Sequence, residues 1–190
     1  MPIYASKGDG KEYYLVPAGT SQAVCYDIWD IGFQEGEWQG KKIVNHKVII
    51  GFEITELVPK GEFEGKHMTI NNFYTLSLAS KANLRKHLEG WRGKAFTEQE
   101  LEKFDIEKLI GVNCMLNIIH NENGKAKIVG ISRLMNGLIP LIAENKRSSP
   151  EWVAKFLAKA VADPYVDDEE IAMKEGEANA AEAEGEPIPF

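Results

Sequence analysis

Between residues 22 and 134 apolar side chains fall mostly at every second position, the period of strands with one face in a core. Residues 22–33 read as one long strand carrying Val24, Cys25, Tyr26, Ile28, Trp29 and Ile31. Residues 34–40 are polar and glycine-rich and read as the hairpin connection that follows. Residues 43–54 form the second strand. Its even positions His46, Val48, Ile50, Phe52 and Ile54 are mostly apolar, and its odd positions Asn45, Lys47, Gly51 and Glu53 mostly are not. Residues 57–66 are a loop rich in Pro, Gly, Lys and Glu. Residues 67–78 make a third strand with Met68, Ile70, Tyr74, Leu76 and Leu78 on one parity and Asn71, Phe73 and Thr75 on the other.

The period then lengthens. Ser80 is placed to cap a helix running to about Glu89, with Leu84 and Leu88 four apart on one face. Thr97-Glu98-Gln99-Glu100 has the spacing of a capping box and opens a short helix with Leu101 and Phe104. Two further strands, residues 112–120 and 125–134, flank Asn121-Glu122-Asn123-Gly124, whose Asn-Gly pair signals a hairpin. Residues 150–162 form a short amphipathic helix with Trp152, Val153, Phe156 and Leu157 on one side; that side either covers the sheet or pairs with a second copy of the chain. Three strands, a helical insertion and two strands is the element order of an OB-like five-stranded barrel, so the fold expected is mainly β. The domain reading is an OB-like body over residues 1–147, a helix over 148–162 and an appendage from 163 on.

Charge separates the same parts. Residues 163–190 carry ten acidic residues and one lysine, a charge of −9, while residues 1–162 carry 21 basic against 19 acidic residues, a charge of +2. From Asp167 on the composition is Ala, Glu and Gly with almost no large apolar residue. Such a segment buries too little surface to offset its ordering entropy and is expected to be disordered. No apolar run is long enough for a membrane helix and the first residues lack the apolar core of a secretion signal, so a cytoplasmic location is expected. Cys25 and Cys114, far apart in apolar runs, read as buried thiols.

No enzyme signature stands out. His46, His67, His87 and His120 show no metal-ligand spacing, and no Cys-x-x-Cys, phosphate loop or nucleophile elbow is present, so neither catalysis nor a cofactor is expected. The informative mixture is of cations and rings. Trp38, Lys41 and Lys42 lie at the first hairpin, Lys47 on the second strand, Lys66, Phe73 and Tyr74 on or beside the third, and Trp91 and Arg92 after the helical insertion begins. A binder of single-stranded nucleic acid needs cations along the phosphates and flat rings for bases. Trp38 either stacks on a base or folds back on the barrel. Phe73, with parity opposite to the core positions, is the better stacking residue. Tyr74 shares parity with Leu76 and Leu78, which favours the core, and Trp91 follows Gly90 where it would also pack a helix on the sheet.

The chain closes in Glu186-Pro187-Ile188-Pro189-Phe190. An apolar tip on an acidic, unstructured segment has no core to enter and suits a partner's pocket. This close resembles the C-terminus of bacterial single-stranded-DNA-binding proteins, an acidic stretch ending in Asp-Ile-Pro-Phe, with the acid here one residue earlier, at Glu186. The body is similar to phage proteins described as single-stranded-DNA-binding, through Tyr74-Thr75-Leu76-Ser77-Leu78, Leu84 to Phe96, and Asn117-Ile118-Ile119-His120-Asn121. The resemblance implies a non-enzymatic, sequence-tolerant binder of single-stranded DNA in phage replication or recombination. Its tail would recruit replication and repair proteins through Ile188, Pro189 and Phe190. A protein-only adaptor on the same barrel is the alternative.

Overall fold

A computed structural model describes residues 14–165. The acidic segment from residue 166 and the tip Glu186 to Phe190 lie outside the described residues. Five strands form one antiparallel sheet: β1 Gly19–Trp38, β2 Lys41–Leu57, β3 His67–Thr75, β4 Asn113–His120 and β5 Ala126–Arg133. Their order is β3-β2-β1-β4-β5, so β3 and β5 are its edges. Helix α1, Asn83–Arg92, and the short helix α2, Glu98–Glu102, lie between β3 and β4, and α3, Glu151–Leu157, follows β5. The mainly β class and the helical insertion agree with the alternation and its change of period.

The even face of β2 enters the main core. Val48, Ile50, Phe52 and Ile54 pack there with Cys25, Tyr74, Leu116 and Ile131, and with Leu84, Leu88 and Trp91 of α1. Helix α1 reaches β5 because Gly90 carries no side chain. A Cβ at that position would stand 2.3 Å from the Ile131 carbonyl oxygen. Ala82 rather than Ser80 precedes the helix, with no side-chain cap, whereas Gly93 ends it in the left-handed conformation at φ 66°. The Thr97–Glu100 capping box forms with both reciprocal bonds. Cys25 and Cys114 are free and buried, and burial, first, pushes the Cys25 thiol up to about 12.

The first hairpin is longer and tighter than its composition suggests. Strand β1 continues through residues 34–38, and the turn is only Gln39-Gly40, with Trp38 opposite Lys41. Both turn residues have positive φ, 51° and 75°, as a type I′ turn requires. Neither β3 nor β4 flanks the outer part of this hairpin, so beyond Gln34, which is buried and donates to the Phe156 carbonyl, its side chains are largely in water and show no alternation. One irregularity of β1, between Cys25 and Asp27, lies further back in the sheet, and another, between Asp30 and Phe33, bends the strand at the foot of the arm. There the Phe33 and His46 rings stack 4.7 Å apart, and the Val161 N–H bonds the Phe33 carbonyl. The described chain ends beside this foot, with the Tyr165 ring 6.4 Å from Phe33.

The odd face of β2 is covered as well, which the alternation did not reveal. Ile49 packs with Trp29, Ile31 and Val153 in a second cluster capped by Trp152 and Phe156 of α3. Gly51 makes room for the Tyr26 and Trp29 rings, both of which would lie within 2.9 Å of a Cβ there. The apolar side of the 150–162 helix therefore rests on the sheet.

Candidate functional site

The segment between β5 and α3 lies across the odd, outer face as an irregular strap, and polar side chains of the sheet hold its backbone. Gln22 Nε2 donates to the Ile139 carbonyl at 2.8 Å. The Asn113 amide both donates to the Leu141 carbonyl, 2.9 Å, and accepts from the Leu141 N–H, 2.7 Å. Glu53 is 0% exposed, and its two oxygens accept from the N–H groups of Glu144, 2.8 Å, and Asn145, 2.6 Å. Asp27 accepts from the Ser148 N–H at 2.9 Å, and Trp29 Nε1 donates to the Ser148 carbonyl at 2.7 Å. A buried carboxylate is stable only when so satisfied. Glu53 and Asp27 thus act as clamps for the strap.

The strap and α3 leave the outer face of β3 open, as they do the ends of β4 and β5 around Ile119 and Val129. Thr69, Asn71, Phe73 and Thr75 point outward and are exposed, while Met68, Ile70 and Tyr74 alternate into the core. At the far end of β3, Lys47 stands opposite Thr75 on the neighbouring strand. Lys47, Phe73, Thr75, Ser77 and Asn83 line a cleft of about 380 Å³ floored by Tyr74. Phe73 is 49% exposed and is held edge-on by Phe156 at 5.3 Å. A half-exposed ring held by a neighbouring ring, beside a cation and several hydroxyl and amide groups, offers stacking, a phosphate contact and hydrogen bonds within one cleft.

The other sequence candidates fall in three places. Trp38, 66% exposed, and the exposed Lys41 and Lys42 sit together at the tip of the arm, with Lys42 opposite Glu37. Six strand residues separate Lys41 from Lys47, about 20 Å at the usual rise. Lys66 lies at the opposite end of β3, its Nζ 5.6 Å over the ring of Phe63. Trp91 and Arg92 point elsewhere. The Trp91 ring is buried against Phe52, and its Nε1 donates to the Asn113 carbonyl at 3.0 Å. Arg92 lies between the rings of Phe96, 4.4 Å, and Phe104, 5.2 Å, and pairs with Glu100. The Thr97 N–H, and next the Arg92 guanidinium, hold the Glu100 carboxyl below its ordinary value. Tyr74, through His87, and Trp91, through Asn113, join the helical insertion to the sheet, and Arg92 ties α1 to the segment that follows it.

Two features escaped the sequence. Phe63 sits in a loop whose composition signals only a turn. The strap gives no sequence signal of its course: Ile139 and Ile142 are 85% and 88% exposed, while the sheet holds its backbone and the Arg147 side chain, which donates to Asp27 at 3.3 Å.

Among the described residues no cluster of three or more His, Cys, Asp or Glu is placed to hold a metal ion. No helix among them is long and apolar enough to cross a membrane. The fold and site define a mainly β protein with a partly covered antiparallel sheet and a ring-and-cation cleft at one edge. Neither a protein-family model nor a curated protein sequence matches the chain.

Proposed function

We propose that the chain binds single-stranded DNA without chemical turnover, on a sheet curled into an OB-like barrel. The strand order supports the curl, since it is that of such a barrel opened between β3 and β5, with α1 packed in the main core near both edges. The observation that carries the binding reading is the cleft at the end of β3, where Lys47 and the half-exposed Phe73 ring meet on the stretch of outer face that the strap leaves open. Trp38, Lys41 and Lys42 on the arm extend the contact surface, and bases stack on rings with little regard to sequence. The body's charge of +2 is small, so affinity rests on this local grouping and on stacking more than on net charge.

The acidic segment enters the same scheme. Tyr165 lies at the foot of the arm whose tip carries Lys41 and Lys42, so the −9 segment leaves the described fold at the base of that arm. It covers the binding surface when DNA is absent, and its Ile188-Pro189-Phe190 recruits replication or recombination proteins once DNA displaces it.

The test is fluorescence anisotropy of a labelled oligothymidine with the full chain, Phe73→Ala and Lys47→Gln. Phe73→Ala should weaken binding about tenfold, the worth of one stacked base. Lys47→Gln should flatten the salt dependence by about 0.7 in log–log slope, the loss of one phosphate contact on a single strand. Equal affinity of all three proteins for the strand would remove the cleft from the reading. A second reading, a protein-only adaptor, is favoured by one observation, the two isoleucines displayed on the clamped strap. It predicts no salt-dependent binding of DNA at all.

A further inference from the structure

Another cleft lies at the opposite end of β3 from the first. It measures about 390 Å³ and is lined by Phe63, Lys66, His67, Thr69 and Asn145 over a floor that includes Met68. Phe63 is 53% exposed although it belongs to a closed, well-bonded loop. The Val58 N–H bonds the Lys66 carbonyl at 2.9 Å, and the Gly65 N–H bonds the Val58 carbonyl at 2.9 Å. Gly61 and Gly65 adopt positive φ, 96° and 76°, which lets so short a loop double back. The ring is therefore presented by a fixed backbone, as Phe73 is presented by β3. His67 is tied down too, with Nδ1 2.7 Å from the Ile54 carbonyl.

We infer that this cleft is a second stacking subsite for the same single strand, so that DNA runs along the β3 edge from the Phe73 cleft to Phe63. The inference rests on the binding reading above. Both clefts wrap the same strand, and each combines residues of its outer face with residues of the core side. Each holds one half-exposed phenylalanine and one lysine, and at the second the Lys66 ammonium stands over the Phe63 ring. Between them β3 exposes Thr69 and Asn71, small polar groups that a sugar-phosphate backbone can cross. Six strand residues from His67 to Phe73 span about 20 Å. A stacked trinucleotide, at about 3.4 Å per residue, cannot reach across. The two subsites differ in charge. Around Phe63, Lys60 and Lys66 are balanced by Glu62 and Glu64, with Glu144 next to His67. The second subsite therefore contributes stacking and adds little to the salt dependence.

The experiment is an anisotropy series of labelled oligothymidines from about 3 to about 12 nucleotides, within the range one such fold covers. The full chain is compared with Phe63→Ala, Lys66→Gln and Phe73→Ala. The wild-type affinity should step up about tenfold once the strand spans both clefts. Phe63→Ala should abolish that step while leaving short strands and the salt slope unchanged, and Phe73→Ala should weaken short and long strands alike. A step that survives in both Phe63→Ala and Lys66→Gln, or no step in the wild type, would overturn the second subsite and leave the first intact. No binding of any length by the wild type would overturn both. All three substituted side chains are exposed, and a thermal melt matching the wild type verifies that the variants fold.

Discussion

The hydroxyl of Tyr74 lies 2.7 Å from Nδ1 of His87, joining β3 to α1 beneath the proposed DNA cleft. Burial, the largest influence, holds His87 below its ordinary value of 6.5. The unfolded chain takes up the proton more readily. The stability from this group is therefore fully present above about pH 6.5 and is lost as pH falls through the lowered folded value. Melting temperatures measured from about pH 7 down to about pH 5 should fall less steeply for His87→Gln than for the wild type. Parallel curves would show that this pair does not set the acid limb.

Glu53 shows a different use of a buried polar group. Its two oxygens satisfy the N–H groups of Glu144 and Asn145, and no water reaches the carboxylate. Glu53→Ala should leave both donors unpaired and cost about 2–5 kcal/mol, with strap amides exchanging faster by hydrogen–deuterium exchange. A loss below about 1 kcal/mol would mean that the strap is held by its other bonds alone.

Much of the fold was legible because alternation is a physical consequence of one buried face. Val48, Ile50, Phe52 and Ile54 announced the core side of β2, and Leu84 and Leu88 announced the helix that packs on it. Phe73, set apart from Tyr74 only by parity, was correctly turned outward. The limits have the same origin. Glu53 occupies an outward position and reads as solvated, since nothing local says that residues 144 and 145 will cover it. Residues 34–38 read as a loop because an arm lying largely in water has no alternation to show. Trp91 and Arg92 look like ligand groups by type. They become structural only because Asn113, Phe96 and Phe104, distant or unremarkable in sequence, converge on them.

Gly90 marks where α1 meets the sheet. A methyl group 2.3 Å from the Ile131 carbonyl oxygen cannot be accommodated without lifting the helix from β5. Gly90→Ala should destabilise the protein by more than about 2 kcal/mol in denaturant titration, despite the better helix propensity of alanine. A stabilised variant would contradict the close contact.

The arm gives a contrasting expectation. Trp38 lies at a solvated tip, and Trp38→Ala should change stability by less than about 0.5 kcal/mol. The same change should weaken oligothymidine binding about tenfold if the ring stacks on a base. Unaltered affinity would confine the interface to β3.

Tryptophan emission offers the most direct test of single-strand binding. Trp29 and Trp91 are buried and Trp152 packs against Trp29, so Trp38 is the ring most open to a base. The full chain should be titrated with unlabelled oligothymidine at low and high salt, beside a duplex control and Trp38→Phe. The account predicts quenching that saturates, weakens as salt rises, is absent with duplex and is largely lost in Trp38→Phe. A flat titration at low salt, confirmed by unchanged anisotropy of a labelled strand, would contradict it and leave the adaptor reading in its place.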